Sequence, residues 1–108
     1  MARKHKPVHP GEILKHEFLV PVDMSAYALA KEIGVSAPTV NDLTRGRRNI
    51  TADMALRLAR YWGTTAEFWM HLQARFDLEV AKDLRGAEFT RRIRPRERDV
   101  AELEAVPA

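Results

Sequence analysis

The segment from Ser36 to Arg48 holds the residues whose types and spacing could do chemistry, and that chemistry would be the gripping and reading of a nucleic acid, although a short helix pair with a Gly turn and a basic loop occurs in many helical domains. Arg45, Arg47 and Arg48 can each neutralise a phosphate, which sets register and salt dependence but carries no base information. Upstream, Val40 and Leu43 repeat at i, i+3 and are committed to a core. That leaves Ala37, Pro38, Asn41, Asp42 and Arg45 outside. The first-turn positions Ala37 and Pro38, with Asp42 one turn on, are placed to approach base edges. Ala37 and Pro38 can pack on a thymine methyl, and Asn41 can bond a phosphate or an adenine edge. Asp42 repels phosphate yet can accept a hydrogen bond from cytosine N4. Ser36 either caps its own helix or donates its hydroxyl to a phosphate.

Other constellations point to less. Of the four histidines, His5, His9, His16 and His71, no pair at i, i+4 has a third ligand nearby, and no HExxH motif is present. No metal site or cofactor is expected. His9 reads as a helix-start residue, and His16 as solvent-facing beside Glu17. Glu102 and Glu104 read as solvated. With no Gly-rich phosphate loop, nucleophile elbow or paired acid site, the chain is not expected to be an enzyme. Tyr61, Trp62, Phe68, Trp69 and Phe76 could stack bases, but at helical spacing they suit a core or a dimer interface. So small a domain has little room for two tryptophans, which predicts an interface role for part of this group.

Positioning such a site takes helices. Pro10 suits a first helical turn, Glu12 to Leu19 reads as helix with Leu14 and Phe18 on one face, and Pro21 closes it. Ser25 caps a second helix with Met24 and Leu29 as a hydrophobic staple, and Gly34 ends it. Ser36 starts a third helix, with Val35 and Val40 as its staple and Gly46 as its end. Thr51 caps a fourth, which carries Ala55, Leu58, Ala59 and Trp62 inward and stops at Gly63. Thr64-Thr65-Ala66-Glu67 matches a capping box for a fifth, with Phe68, Trp69, Leu72, Phe76 and Val80 on its apolar side. The Gly34-Val35-Ser36 connection has the length of a helix-turn-helix turn and predicts that motif over about residues 25–46. The expected fold is all-α: a five-helix domain over residues 8–84 and a charged, irregular tail over 85–108, with six arginines between Arg85 and Arg98.

The run from Ser25 to Gly46 resembles the phage-repressor type of helix-turn-helix. His9-Pro10-Gly11-Glu12-Ile13-Leu14, the stretch Arg47 to Ala59 and the stretch Gly63 to Gln73 resemble the HigA antitoxin (VapI-like) family, so the likeness covers about residues 8–82. It implies a homodimer on a palindromic operator, repression of its own operon, and a small mRNA-cleaving, HigB-like toxin as partner. It also implies base contacts at Ser36, Ala37, Pro38, Thr39, Asn41 and Asp42, and phosphate contacts near Arg45 and Arg48. The chain departs from the family where many relatives carry Arg or Gln early in the recognition helix, which leaves the operator sequence open. A free-standing regulator of the same fold, without a toxin, is the alternative.

Composition fits this reading. The net charge of +3 permits a polyanionic partner without demanding one. The absence of cysteine excludes thiolate metal sites and disulfides. No apolar run suits a membrane span, and none follows the basic start to make a signal peptide, so a cytoplasmic protein is expected.

Overall fold

A computed structural model describes residues 6–97, which form five helical rods and no strand. His5, Arg98, Glu102 and Glu104 lie outside the described residues, so the readings made for them do too.

The first rod, α1, is composite: an α-helical turn Pro10–Ile13, a π-helical stretch Leu14–Leu19 and a 3-10 turn Val20–Val22. Its N-cap is His9, whose Nδ1 accepts the Gly11 N–H at 2.9 Å. The π stretch brings residues five apart onto one face, and Leu14 and Leu19 are both buried. Pro21 does not close the rod but lies inside its last turn. Asp23, in the left-handed region at φ 51°, ends it.

Next come α2 (Ala26–Ile33), α3 (Ala37–Thr44) and α4 (Ala52–Trp62), capped by Ser25, Ser36 and Thr51. The fifth rod, α5, begins at Ala66–Ala81. Its cap is Thr65, whose Oγ1 accepts the Phe68 N–H at 3.0 Å. This corrects the capping box anchored at Thr64. The Thr64 hydroxyl is occupied instead, accepting the Trp69 indole N–H at 2.8 Å.

The irregular tail expected from residue 85 is also corrected. The α5 rod continues through a π-helical segment Lys82–Gly86 into Ala87–Arg92, and only residues 93–97 are irregular among those described. Arg85 and Arg92 both bond Glu88, at 2.8 and 3.1 Å, the i, i+3 and i, i+4 pairs that support an exposed helix. Between them they hold the Glu88 carboxyl below the usual carboxylate range.

The core is built from every rod, with Leu14, Leu29, Val40, Leu43, Leu58 and Trp69 fully buried. Trp69, expected in part to form an interface, is 0 % exposed. Phe18 packs between Trp62 and Trp69, at ring-centroid distances of 5.2 and 5.1 Å. The core that takes both indoles includes small residues: Ala30 and Ala55 are buried in it, and Ala59 and Ala66 pack against it. The apolar side chains left outside on α5 are Phe68, Met70, Leu78, Leu84 and Phe89.

Candidate nucleic-acid interface

The α2–α3 turn is closed by backbone geometry. Gly34 adopts φ 75°, and the N–H groups of Gly34 and Val35 both bond the Ala30 carbonyl. Only glycine enters that region without strain. Ser36 then caps α3, with Oγ accepting the Thr39 N–H at 3.3 Å and lying 2.7 Å from Thr39 Oγ1. The cap role of Ser36 is therefore occupied, and its hydroxyl is tied to Thr39 rather than free.

Val40 and Leu43 face inward, and Ser36, Pro38, Asn41 and Arg45 face solvent. Two expected outward positions are less open. Ala37 packs against the core, and Asp42, like Thr39, is half-buried. A half-buried Asp42 can still present its carboxylate, but over a narrower arc than a solvent-facing residue would.

Past α3 the chain makes a Schellman turn: Gly46 N–H bonds the Leu43 carbonyl at 3.1 Å and Arg47 N–H bonds the Asp42 carbonyl at 2.8 Å, with Gly46 at φ 75°. Arg45, Arg47 and Arg48 are all exposed. Among the described residues no carboxylate pairs with any of them, although other arginines of the same chain are paired. Their charge is left for an anion from outside. Lys15 of α1 reaches the same face, lining with Ser25, Asn41, Thr44 and Arg45 a recess of about 300 Å³ at the start of α2. No spacing rule marks Lys15 in the sequence.

Four other residues set this surface, and of them only His9 carries a local signal, as the helix start that its N-cap bond bears out. Gly11 lies so close to α3 that a Cβ there would stand 1.8 Å from the Leu43 carbonyl oxygen. Arg57 of α4 donates to the Ile33 carbonyl at 2.7 Å and the Gly34 carbonyl at 3.4 Å, while Asp53 holds its Nε at 2.8 Å. The guanidinium thus satisfies the carbonyl end of α2 and fixes the turn from behind. His9 packs its ring edge-on to Phe76 of α5 at 4.8 Å and lies beside Gly46. Because Nδ1 accepts from Gly11, the ring proton sits on Nε2. Burial holds this imidazole below the ordinary histidine range, against raising influences from Asn49, Glu12, Asp77 and the Arg48 backbone. Gln73 of α5 is buried and bonds the far end of the arginine loop.

His16 and His71 are exposed and His9 is committed to the N-cap. No helix among the described residues is long and apolar enough to cross a membrane.

Residues 16–69, half of the chain, match the helix-turn-helix family. Virulence-associated protein I of Dichelobacter nodosus is 49% identical over 75 residues, which is 69% of each protein. Antitoxin HigA-1 of Vibrio cholerae is 44% identical over 75 residues, 69% of this chain and 70% of its own length. The structure of Pseudomonas aeruginosa antitoxin HigA with the higBA promoter matches with a TM-score of 0.81 at 52% identity, over 82% of this chain and 97% of that one.

Proposed function

This chain belongs to the HigA antitoxin (VapI-like) family of phage-repressor-type helix-turn-helix proteins, and from that premise we propose that it is the antitoxin of a HigBA-type module, a sequence-specific repressor of its own operon that neutralises a small mRNA-cleaving toxin in the cytoplasm. The observation that carries the DNA-binding part is the junction of α3's outer face with three exposed arginines that no carboxylate among the described residues compensates. In this reading α3 enters the major groove and α2 braces on the backbone. Ser36, Ala37, Pro38, Thr39, Asn41 and Asp42 meet base edges. Arg45, Arg47 and Arg48 follow the phosphates. Two protomers, paired through the outer side chains of α5, would set their α3 helices about 34–36 Å apart on one face of the duplex.

A salt titration on operator and scrambled duplexes tests this directly. Arg45→Ala and Arg48→Ala should weaken both duplexes alike, each flattening the log–log salt slope by about 0.9 for the phosphate it no longer neutralises. Asp42→Ala should tighten scrambled DNA, because the carboxylate sits in a negative field. It should also lose discrimination at one base pair, by roughly 1–3 kcal/mol. The wild-type end point should be two protomers per operator. An Asp42→Ala variant with an unchanged operator-to-scrambled ratio would remove Asp42 from the reading set and make Asn41 the candidate.

For the toxin, the N-terminal segment and α1 form the proposed contact surface. Co-expression with the neighbouring small basic gene product should restore growth and yield a copurifying complex. Operator binding with neither outcome would leave a free-standing regulator.

A further inference from the structure

Among the described residues the buried polar side chains are His9 and Gln73, each 5 % exposed, and both face the 45–50 loop from behind. Gln73 comes from α5, far along the chain. Its Oε1 accepts the Ile50 N–H at 2.6 Å. Its Nε2 donates to Asn49 Oδ1 at 3.2 Å and to Asp77 Oδ1 at 2.9 Å. Burying an amide is costly unless its hydrogen bonds are made, and a methionine of similar size would fill the space without that cost. What the amide adds is not packing but shape. The loop is gripped at its start by the Schellman bonds of Gly46 and Arg47, and at its end by Gln73 on Asn49 and Ile50. Arg47 and Arg48 lie between these two grips.

We propose that Gln73 is the positioning residue of the arginine loop, holding the loop in the shape that presents Arg47 and Arg48 to DNA phosphates. This rests on the DNA-binding reading above. Gln73 itself touches no DNA. It acts through Asn49 and the Ile50 amide, while the Gln73–Asp77 bond fixes the orientation of the carboxamide on α5. His9 supports the same loop from the α1 side, where its ring lies against Gly46.

The test compares full-length wild type, Gln73→Met and Asn49→Ala on operator and scrambled duplexes from about 50 to 300 mM salt. Gln73→Met removes all three hydrogen bonds at similar volume. Asn49→Ala removes the loop side of one bond at an exposed position and keeps the test available if Gln73→Met does not fold. A mispositioned loop lets go of phosphates, so both duplexes should lose affinity and the salt slope should flatten by about 0.9 for each phosphate released. The operator-to-scrambled ratio should hold, because α3 is untouched, and circular dichroism should show unchanged helicity. A merely structural role would lower the active fraction equally at every salt concentration and leave the slope alone. Folded variants with the wild-type slope would overturn the positioning role while the DNA-binding reading stood. Wild type that binds neither duplex would overturn that reading and this role together.

Discussion

Replacing Gly11 with alanine should remove most of the folded population and with it operator binding. The new Cβ would stand 1.8 Å from the Leu43 carbonyl oxygen and 2.7 Å from its carbon, both backbone atoms that cannot rotate aside. Relief requires α1 to back away from α3, which pulls the His9 cap out of its place beside Gly46. Overpacking in a core typically costs about 1–3 kcal/mol, and a clash with backbone belongs at or beyond the top of that range. Against a total stability of roughly 5–15 kcal/mol, such a loss is large. Gly86→Ala is the control. Its nearest neighbour would be Lys82 Cβ at an ordinary 3.7 Å, and alanine is the better helix former by up to about 1 kcal/mol. In urea, Gly11→Ala should shift the midpoint sharply down and Gly86→Ala should leave it level or raise it. Equal midpoints for Gly11→Ala and wild type would mean that α1 and α3 do not approach so closely.

The second large effect is expected at Trp69. Truncating a buried tryptophan to alanine costs about 3–5 kcal/mol through lost transfer energy and the cavity left behind. Trp69→Ala should therefore destabilise at least as severely as Gly11→Ala. Trp69→Phe keeps a ring against Phe18 but loses the hydrogen bond to Thr64, and should cost less. The concentration dependence of the melting point separates core from interface. A core role gives the same loss at low and high protein concentration, because the residue is buried within one protomer. A loss that shrinks as concentration rises would return Trp69 to a dimer contact.

The elements that a linear reading captures are those with local causes. Ser25, Ser36 and Thr51 cap the helices they precede, and Gly34, Gly46 and Gly63 adopt the left-handed turns that end them. Where two neighbours satisfy a local rule equally well, pattern cannot choose. Thr64 and Thr65 both suit an N-cap, and a tertiary partner, the Trp69 indole, takes Thr64 away. The helical tail was legible in principle, since Arg85, Glu88 and Arg92 have the spacing of supportive ion pairs, but charge density outweighed that signal. Room for a second inward tryptophan depends on the sizes of the other core residues, and chain length does not reveal that alanines are among them. The supports of the candidate site were beyond reach for a simpler reason. Arg57 meets Ile33 across 24 positions and Gln73 meets Ile50 across 23, and nothing in either side chain announces its partner.

The arrangement of His9 and Gln73 around one loop has a consequence for the order in which the protein becomes competent during translation. The caps and turns of α2–α3 are made within residues 25–47, and their one distant support among the described residues is the hold of Arg57 on the Ile33 and Gly34 carbonyls, so the pair has all it needs once α4 has left the ribosome. The loop that follows cannot take its final form then, because one of its two buried supports lies on α5 and the other, on α1, rests against Phe76. Domains tend to fold as units during synthesis. In the DNA-binding reading proposed above, a nascent chain halted after α4 would display the α3 face without a settled set of phosphate contacts. It would bind any duplex weakly. In that reading, occupation of an operator would begin only with chains synthesised through α5, which would keep half-made protein off the DNA.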